Sequence, residues 1–383
     1  MAGGRPQRKR SPVVLAVCAV LLLFLLFRTA SRGTTPQSSP VTASAKHPAH
    51  AAHRPQPDLS TPETLDAFRS ATVKSLAELF PYDPRIQTSY PRHIWQTWKH
   101  SLTDSNFEHR FVRTTESWTH LNHDYTFEVL NDAAAAAMVR QLYASIPDVV
   151  DAYFAMPVPV LRADFFRYLI LLARGGVYSD IDTLALKSIN KWFYSSIGPL
   201  KDGEKRHQVV DISDEDAAKL RAKLEAETGL VIGIEADPDR EDWHDWYARR
   251  VQFCQWTIMA KKGHPVLVDI VSHITTETIR RRAANALVLP KSNEAGSQIM
   301  DWTGPGIWTD TIFEYLETDW HSVTGITEGK VVKDVLILPI TSFSPGVGSM
   351  GAGEITHPRA FSQHSFEGSW KPEKDRHIGN VNT

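Results

Sequence analysis

Two aspartates, Asp180 and Asp182, follow the short apolar and aromatic segment 177–179 with one residue between them. Carboxylates at positions i and i+2 just beyond a strand can both point at one centre. Oxygen ligands of this kind suit Mg²⁺ or Mn²⁺, which keep water positions that phosphate oxygens can fill. Since Asp-x-Asp pairs are also common in surface turns, the pair predicts a metal site only if its surroundings support one.

A strongly helical segment, residues 161–174, precedes the two aspartates. Asp164 and Arg167, three positions apart, share one face of the predicted helix, Arg174 returns to that face two turns later, and the remaining positions are nearly all apolar. Gly175 and Gly176 end this helix, and the strand after them delivers the aspartates to its carboxyl end, where open α/β sheets bind ligands. A carboxylate and a guanidinium on one polar edge can bind a hydroxyl-rich ligand; the alternative is an internal salt bridge.

The elements that must position these residues alternate between helix and strand, which favours an α/β fold: one Rossmann-type domain with a mostly parallel central sheet. The segment after Gly304 predicts a turn and then a helix with Thr309 as its N-cap. The predicted helices are 62–80, an alanine-rich stretch after Asn131-Asp132, 161–174, 264–281 and 309–317. The predicted strands are 91–99, 125–130, 177–181, 230–235 and 335–338.

The composition excludes several classes of protein. The chain has 383 residues, of which 42% are hydrophobic and 22% charged, and it can bury the core of one large domain. Lys and Arg number 42 against 44 Asp and Glu, so no basic excess would attract nucleic acid. The two cysteines, Cys18 and Cys254, provide neither a disulfide framework nor a thiolate zinc site.

The N-terminus carries an uncharged apolar run, Val13 to Phe27, preceded by four basic residues. The run is either a membrane anchor or a cleaved signal peptide. Arg28 directly after it leaves a poor cleavage site, which favours the anchor, and the basic residues before it place the N-terminus in the cytoplasm. The Pro-, Ser-, Thr- and Ala-rich stretch that follows cannot bury enough surface to fold. We therefore expect a cytoplasmic tail at 1–10, a transmembrane signal-anchor at 11–28, a flexible stem at 29–61 and a folded luminal domain at 62–383.

An ordered set of residues around the aspartates carries a family resemblance. The set is Asp164, Arg167, Tyr168, Gly175, Gly176, Tyr178, Asp180 and Asp182. It resembles the retaining glycosyltransferases that share a sugar-binding region with a DXD motif. Within them, the chain is similar to the fungal initiation-specific α-1,6-mannosyltransferases of the Golgi. The segments that carry this narrower resemblance, which covers about 91–370, are 94–99, 231–235, 253–257 and 304–309.

The resemblance implies a GT-A-like fold for a catalytic domain at 62–383, and it also implies roles for single residues. It places Trp95 on the nucleotide base, although core packing is an equal alternative for this side chain. It gives Asp164 and Arg167 hydrogen bonds to the donor sugar. Asp180 and Asp182 are implied to hold nucleotide and metal and to take part in catalysis. The further donor-binding residues implied are Gln96, Arg162, Tyr168, Gly176, Tyr178 and Gly304.

A single histidine, His364, lies in segment 363–370, which resembles the family's closing segment. There a His-containing stretch returns to the metal and the diphosphate. A neutral imidazole can be a third metal ligand or donate to a leaving phosphate. The family often has more than one histidine at this place, so a surface histidine is the alternative for His364.

The function that the resemblance implies is transfer of mannose from GDP-mannose, with Mn²⁺ or Mg²⁺ and retention of configuration, to a mannosylated N-glycan acceptor. Retention proceeds either by front-face attack or through a carboxylate nucleophile; Glu235, Asp237 and Asp310 are the acidic residues in the matching segments. The implied location is the Golgi membrane, with type II topology. The implied partners are the nucleotide sugar, the glycan, the membrane and other Golgi glycosyltransferases. The alternatives are transfer to inositol phosphorylceramide and a non-catalytic luminal sugar-binding protein.

Overall fold

The structure is a computed structural model that describes residues 57, 59–197, 200–201, 208–209, 213–239, 241–289 and 294–368. These residues belong to one unit of the fold, Gln56–Thr383. The expected tail, the expected anchor and most of the expected stem lie outside the described residues, as does the end of the closing segment. Across the described ranges, no helix is both long enough and apolar enough to cross a bilayer.

Helices and strands alternate along the described residues. The helices are α1 (Pro62–Leu79), α2 (Val112–Leu121), α3 (Asp132–Leu142), α4 (Pro147–Ala155), α5 (Pro159–Arg174), α6 (Asn190–Ile197), α7 (Asp214–Glu227), α8 (Pro265–Ala283), α9 (Glu294–Trp302), α10 (Pro305–Leu316) and α11 (Ile340–Phe343). The strands are β1 (His93–Trp98), β2 (Thr126–Asn131), β3 (Gly176–Ser179), β4 (Thr183–Ala185), β5 (Leu200–Lys201), β6 (Gln208–Val209), β7 (Leu230–Ala236), β8 (Gln252–Phe253), β9 (Thr257–Ala260), β10 (Lys330–Val332), β11 (Val335–Leu338) and β12 (Ser362–His364). Short 3₁₀ turns cover His109–Phe111, Glu241–Asp245 and Trp320–Ser322.

The central sheet has the strand order β10-β11-β7-β9-β3-β1-β2, with β8 paired to β7. Strand β1 is parallel to β2 and β3, and β11 is parallel to β7. Strand β9 lies antiparallel between β3 and β7, so β2, β1, β3, β7 and β11 all point the same way. The expected α/β fold with a mostly parallel central sheet is therefore confirmed. Because β9 runs in the opposite direction, the residues just before it lie at the carboxyl edge of the parallel strands.

Helix α5 is the central helix of the fold, because most of its side chains are buried. A helix that is apolar on nearly all sides is covered by other elements on nearly all sides. It ends at Gly175, whose φ of 67° is in the left-handed region that favours glycine. At Gly176, which has a φ of 97°, a Cβ atom would come within 2.5 Å of the His93 carbonyl oxygen. The two glycines therefore allow the tight reversal from α5 into β3.

Most predicted elements are confirmed within two or three residues, including α1, α5 and β11. The predicted N-cap at Thr309 is wrong. Helix α10 begins at Pro305 with Gly304 as its N-cap, and Thr309 lies inside the helix, where its hydroxyl accepts the Phe253 amide at 3.0 Å. Proline is well suited to the first helical position because its fixed φ matches the helix and its missing N–H needs no partner there.

Candidate active site

The two aspartates lie on a tight turn at the carboxyl edge of the sheet, directly after β3. The Asp180 carbonyl oxygen accepts the amide of Thr183 at 3.1 Å and its hydroxyl at 2.6 Å. It also accepts the Gln96 side-chain amide, at 3.1 Å. These bonds hold the turn that keeps Asp180 and Asp182 together at this edge of the sheet. Gln96 therefore contacts the site through the backbone of Asp180, and its contact with a donor stays a prediction.

His364 is brought to the aspartates by strand pairing. Strands β12 and β4 are antiparallel, and His364 stands opposite Thr183. Its Nε2 atom lies 3.2 Å from the Asp182 carboxylate, and its ring stacks on Trp256 with the ring centres 4.5 Å apart. Ligand atoms of Asp180, Asp182 and His364 all lie within 4.8 Å of one another. The histidine is therefore part of the site and is not a surface residue.

Charge interactions set the protonation of this cluster. Burial opposes ionisation of Asp182, but the nearby His364 outweighs it and holds the pKa of Asp182 below its usual value. Burial likewise lowers the pKa of His364, but Asp182 and Asp180 outweigh it and raise that pKa. Burial raises the pKa of Asp180, against the opposing charge of Arg167. Asp182 and His364 thus favour each other's charged forms, and a cation that binds His364 would displace the imidazole proton.

Arg167 connects helix α5 to the turn that carries Asp180 and Asp182. Its guanidinium lies 3.0 Å from Asp164 and 3.1 Å from Asp180, and the Arg167 and Asp164 side chains are only 5% and 4% exposed. The internal salt bridge that was one reading of Asp164 and Arg167 is therefore present. It does not exclude the other reading, because the same guanidinium also reaches Asp180 at the edge where a ligand would bind.

Asp164 has further partners that the sequence did not indicate. Its carboxylate accepts the Thr303 hydroxyl at 2.9 Å and the Gln255 amide at 3.4 Å. The Gln255 side chain in turn accepts the Tyr168 hydroxyl at 2.7 Å. Burial raises the pKa of Asp164 to about 6, although Arg167 and Thr303 act against this rise. Asp164 is therefore anchored from three elements.

The two predicted tyrosines lie around this network. Tyr168 stacks on Trp308 with 5.2 Å between ring centres, and its hydroxyl also approaches the Thr303 carbonyl, just before Gly304. The Tyr178 hydroxyl pairs with that of Thr97 at 3.0 Å, and the Arg167 guanidinium lies 5.2 Å from the Tyr178 ring centre. Gly176 acts through the backbone reversal described above.

Trp95 and Arg162 are not brought into the cluster. Trp95 is 5% exposed, stacks on His93, and donates its indole N–H to the Gly175 carbonyl at the amino end of β3. Its side chain thus packs in the core, and contact with a base stays a prediction. Arg162 is half-buried and stands two residues before Asp164, which puts it on a different face of α5.

Asp310 and Asp237 contact residues of neighbouring loops. Asp310 is paired with the Arg249 guanidinium at 2.5 Å, and Arg249 also reaches Asp301 at 3.1 Å. The Asp237 carboxylate accepts the Thr324 hydroxyl at 2.5 Å. The structure therefore gives both residues structural partners outside the cluster.

Among the acidic residues of the matching segments, Glu235 belongs to a strand of the central sheet and lies at the same sheet edge as the cluster. It lies near the carboxyl end of β7 and accepts the Gln252 side-chain amide at 2.9 Å. Burial raises the pKa of Glu235 to about 7, against the effects of Gln252 and of the His364 charge. The His364 charge thus acts on Glu235 from the closing segment.

Several residues of the site were not predicted individually from the sequence. A signal existed for Gln255, Trp256 and Glu367, because 253–257 and 363–370 were already recognised as family-like. Gln252 and Thr303 each stand one residue before a family-like segment, and the sequence carried no such signal for them. The residues missed are Gln252, Gln255, Trp256, Thr303 and Glu367, whose amide donates to Asp182 at 3.2 Å.

The cluster fits a divalent cation by its chemistry. Two carboxylates and an imidazole form a ligand set that such ions accept. The Nδ1 atom of His364 is buried and has no hydrogen-bond partner among the described residues. Asp180 retains 24% side-chain exposure, so the cluster is open to the cleft. The residues that would hold the ion are therefore Asp180, Asp182 and His364.

Comparison with known proteins agrees with this geometry. Residues 108–197 match a family model described as a glycosyltransferase sugar-binding region containing a DXD motif. The match includes α5, β3 and both aspartates, so fold and site together define a DXD glycosyltransferase.

Similar proteins show to which family of DXD glycosyltransferases the chain belongs. The chain is 42% identical over 322 residues to the initiation-specific alpha-1,6-mannosyltransferase of Candida albicans, covering 79% of this chain and 77% of the relative. It is 42% identical over 304 residues to the Schizosaccharomyces pombe protein of that name, covering 77% and 67%, and 33% identical over 397 residues to the Saccharomyces cerevisiae one, covering 79% and 82%. The chain belongs to the family of initiation-specific α-1,6-mannosyltransferases, as the sequence motifs indicated.

Proposed function

We propose that this glycosyltransferase transfers mannose from GDP-mannose, with retention, to a mannosylated glycan in an α-1,6 linkage. The observation that carries the proposal is the chain of contacts from Asp164 through Arg167 to Asp180, beside Asp182 and His364. It joins a sugar-binding pair to a metal-binding pair at one edge of the sheet. The relatives' names supply the sugar and the linkage.

The donor side of the reaction follows from the charges of these residues. Asp180, Asp182 and His364 would hold Mn²⁺ or Mg²⁺, which supplies Lewis-acid neutralisation of the departing diphosphate when bound. Arg167 adds a fixed positive charge beside Asp180. Asp164, anchored by Thr303 and Gln255, orients donor hydroxyls. Groups that are held in place before the reaction stabilise developing charge without reorganisation at that moment.

Glu235 is the proposed proton acceptor on the acceptor side. A pKa of about 7 suits a group that takes a proton near neutral pH. The acceptor oxygen bonds to the anomeric carbon while the bond from that carbon to the phosphate oxygen breaks, with its electron pair leaving on the diphosphate. The hydroxyl proton passes to the Glu235 carboxylate. Attack on the face that the diphosphate leaves retains the configuration.

The cellular setting is proposed from the sequence. The apolar run at 11–28 would anchor the chain in the Golgi membrane, with the catalytic domain in the lumen. Association with other Golgi glycosyltransferases is part of this proposal. A fusion of a glycosylation reporter to the C-terminus tests the topology: the reporter becomes glycosylated if that end is luminal, and an unmodified reporter contradicts the proposal.

The activity is tested with the purified full chain. It is incubated with Mn²⁺, a panel of sugar nucleotides that includes GDP-mannose, and short mannose oligosaccharides, and the product linkage is determined. We expect mannose transfer from GDP-mannose alone, giving an α-1,6 product. Transfer to inositol phosphorylceramide in place of the oligosaccharide would replace the proposed acceptor. If the chain catalyses no transfer and hydrolyses no donor with any of the nucleotides, the enzyme proposal is wrong and the alternative of a sugar-binding protein is left.

A further inference from the structure

Gln252 makes three hydrogen bonds from a buried position. It is 1% exposed, and its Nε2 atom donates to Glu235 at 2.9 Å. Its Oε1 atom accepts two backbone amides, from Ala248 at 3.0 Å and from Arg249 at 3.3 Å. Because two N–H donors face Oε1, the amide cannot turn over without placing its own N–H₂ against them. The donor end of Gln252 is therefore directed at Glu235.

Glu235 itself occupies a special position in the sheet. Along β7 and β8, Ile234 pairs with Phe253 and Ala236 with Gln252, so Glu235 is the extra residue of a β-bulge. A bulge turns a side chain away from the regular alternation of its strand, and bulges are frequent beside active sites. The bulge lies near the carboxyl end of β7, at the sheet edge that also carries Asp180 and Asp182, and Gln252 stands opposite the next residue of β7.

The loop that holds Gln252 is fixed by ion pairs. Arg249 forms two bonds to the Asp310 carboxylate, at 2.6 Å and 2.5 Å, and a third to Asp301 at 3.1 Å. The Arg249 amide is one of the two that Gln252 accepts. Ion pairs from α9 and α10 thus fix the position of Arg249 in the loop. The Arg249 amide donates to Gln252, and Gln252 donates to Glu235.

We infer that Gln252 is a positioning residue that orients the Glu235 carboxylate toward the acceptor hydroxyl. The inference rests on the proposed function, and it adds a residue to which no role has been given. Gln252 donates to Oε2 of Glu235 and does not contact the other carboxylate oxygen, Oε1. The other groups that act on Glu235 are Tyr247 from the loop, Cys254 beyond β8 and His364 from β12.

The test compares Gln252→Met with Gln87→Met in the full chain. Both replace a glutamine by an unbranched apolar side chain, but Gln87 donates to the Lys262 carbonyl at the opposite edge of the sheet. We expect Gln252→Met to lower kcat/KM for the acceptor roughly 10- to 100-fold while the KM for the donor changes little. In a Glu235→Gln background the same change should cost less than about threefold, because the partner is already altered. Equal losses in both backgrounds would overturn the inference.

A second measurement does not depend on transfer. Carboxyl-labelled protein is titrated, and the Glu235 signal is assigned by its loss in Glu235→Gln. In Gln252→Met the pKa of Glu235 should rise above its wild-type value, since a donor to its carboxylate is gone; an unchanged pKa would refute the role of Gln252 even if mannose transfer fails. If Gln252→Met does not fold, Gln252→Glu is used, which keeps an acceptor for both amides, removes the donor and adds a second carboxylate beside Glu235. The pKa of Glu235 should then rise further than in Gln252→Met, and an unchanged pKa would refute the contact.

Discussion

The Nε2 atom of His364 lies 3.2 Å from the Asp182 carboxylate, although nearly half of the chain separates the two residues. The pairing of β12 with β4 brings them together. The amide of Glu367 adds a donor to Asp182 from the same closing segment, at 3.2 Å. The C-terminal part of the described chain is therefore part of the cluster of Asp180, Asp182 and His364.

Replacement of Asp182 tests the cluster directly. Asp182→Ala should lower the transfer rate by at least about 100-fold, as loss of a preorganised charge-stabilising group does in other enzymes. The variant should still unfold in one cooperative thermal transition, which shows that the loss of transfer is not a loss of the fold. Asp66→Ala, at an exposed position of α1, is the control and should retain full activity. Retained transfer in Asp182→Ala would remove this residue from the site.

Metal binding should stabilise the folded chain. An ion that binds the native state alone adds about 2.7 kcal/mol to the free energy of unfolding at a hundredfold excess over its Kd. We expect Mn²⁺ to raise the unfolding temperature of the wild type and EDTA to reverse the rise. In His364→Ala the rise should be much smaller at the same Mn²⁺ concentration. The same rise in both proteins would mean that the ion binds elsewhere.

Loss of Arg167 should affect stability as well as activity. Arg167→Ala leaves the buried Asp164 and the partly buried Asp180 without their counter-charge, which should cost about 3–5 kcal/mol of unfolding free energy. Denaturant unfolding measures the cost. Arg174→Ala, at the exposed end of the same helix, should stay within about 0.5 kcal/mol of the wild type. Similar small losses in both variants would mean that the buried pairing of Arg167 contributes little.

Asp164 predicts a particular dependence of stability on pH. Burial raises its pKa to about 6 in the folded state, against about 3.9 in an unfolded chain. The folded state therefore binds this proton more tightly, so the contribution is full below about pH 4 and is lost as the pH rises through about 6. Relative to Asp164→Asn, the wild type should lose about 2–3 kcal/mol of unfolding free energy between pH 4 and pH 7. A constant difference between the two proteins would contradict the raised pKa.

Replacement of Asp310 tests whether this residue has a catalytic or a structural role. Its pairing with the partly exposed Arg249 predicts that Asp310→Asn weakens the hold on the loop by about 1 kcal/mol, since ion pairs near the surface contribute little. The transfer rate should then fall less than about tenfold, with an unchanged response to Mn²⁺. A loss above about 100-fold in a fully folded variant would instead show that Asp310 acts in the reaction.

Local patterns in the sequence predicted helix α5, the chain reversal after it and the pair of aspartates that follows β3. Asp164 and Arg167 share a face because helical spacing requires it. Gly175 and Gly176 permit the reversal because only glycine adopts those φ values without strain. These features depend on residues close in the chain, so spacing and residue type were enough to predict them.

Only the tertiary structure decided which distant residues complete the site. Gln255 and Thr303 meet Asp164 because the antiparallel β9 and the start of α10 converge at the carboxyl edge. Glu235 is distinguished from Asp310 by a bulge and a buried glutamine partner. No sequence spacing specifies these contacts, because they depend on strand order and register, which are set when separate hydrophobic surfaces pack into one core.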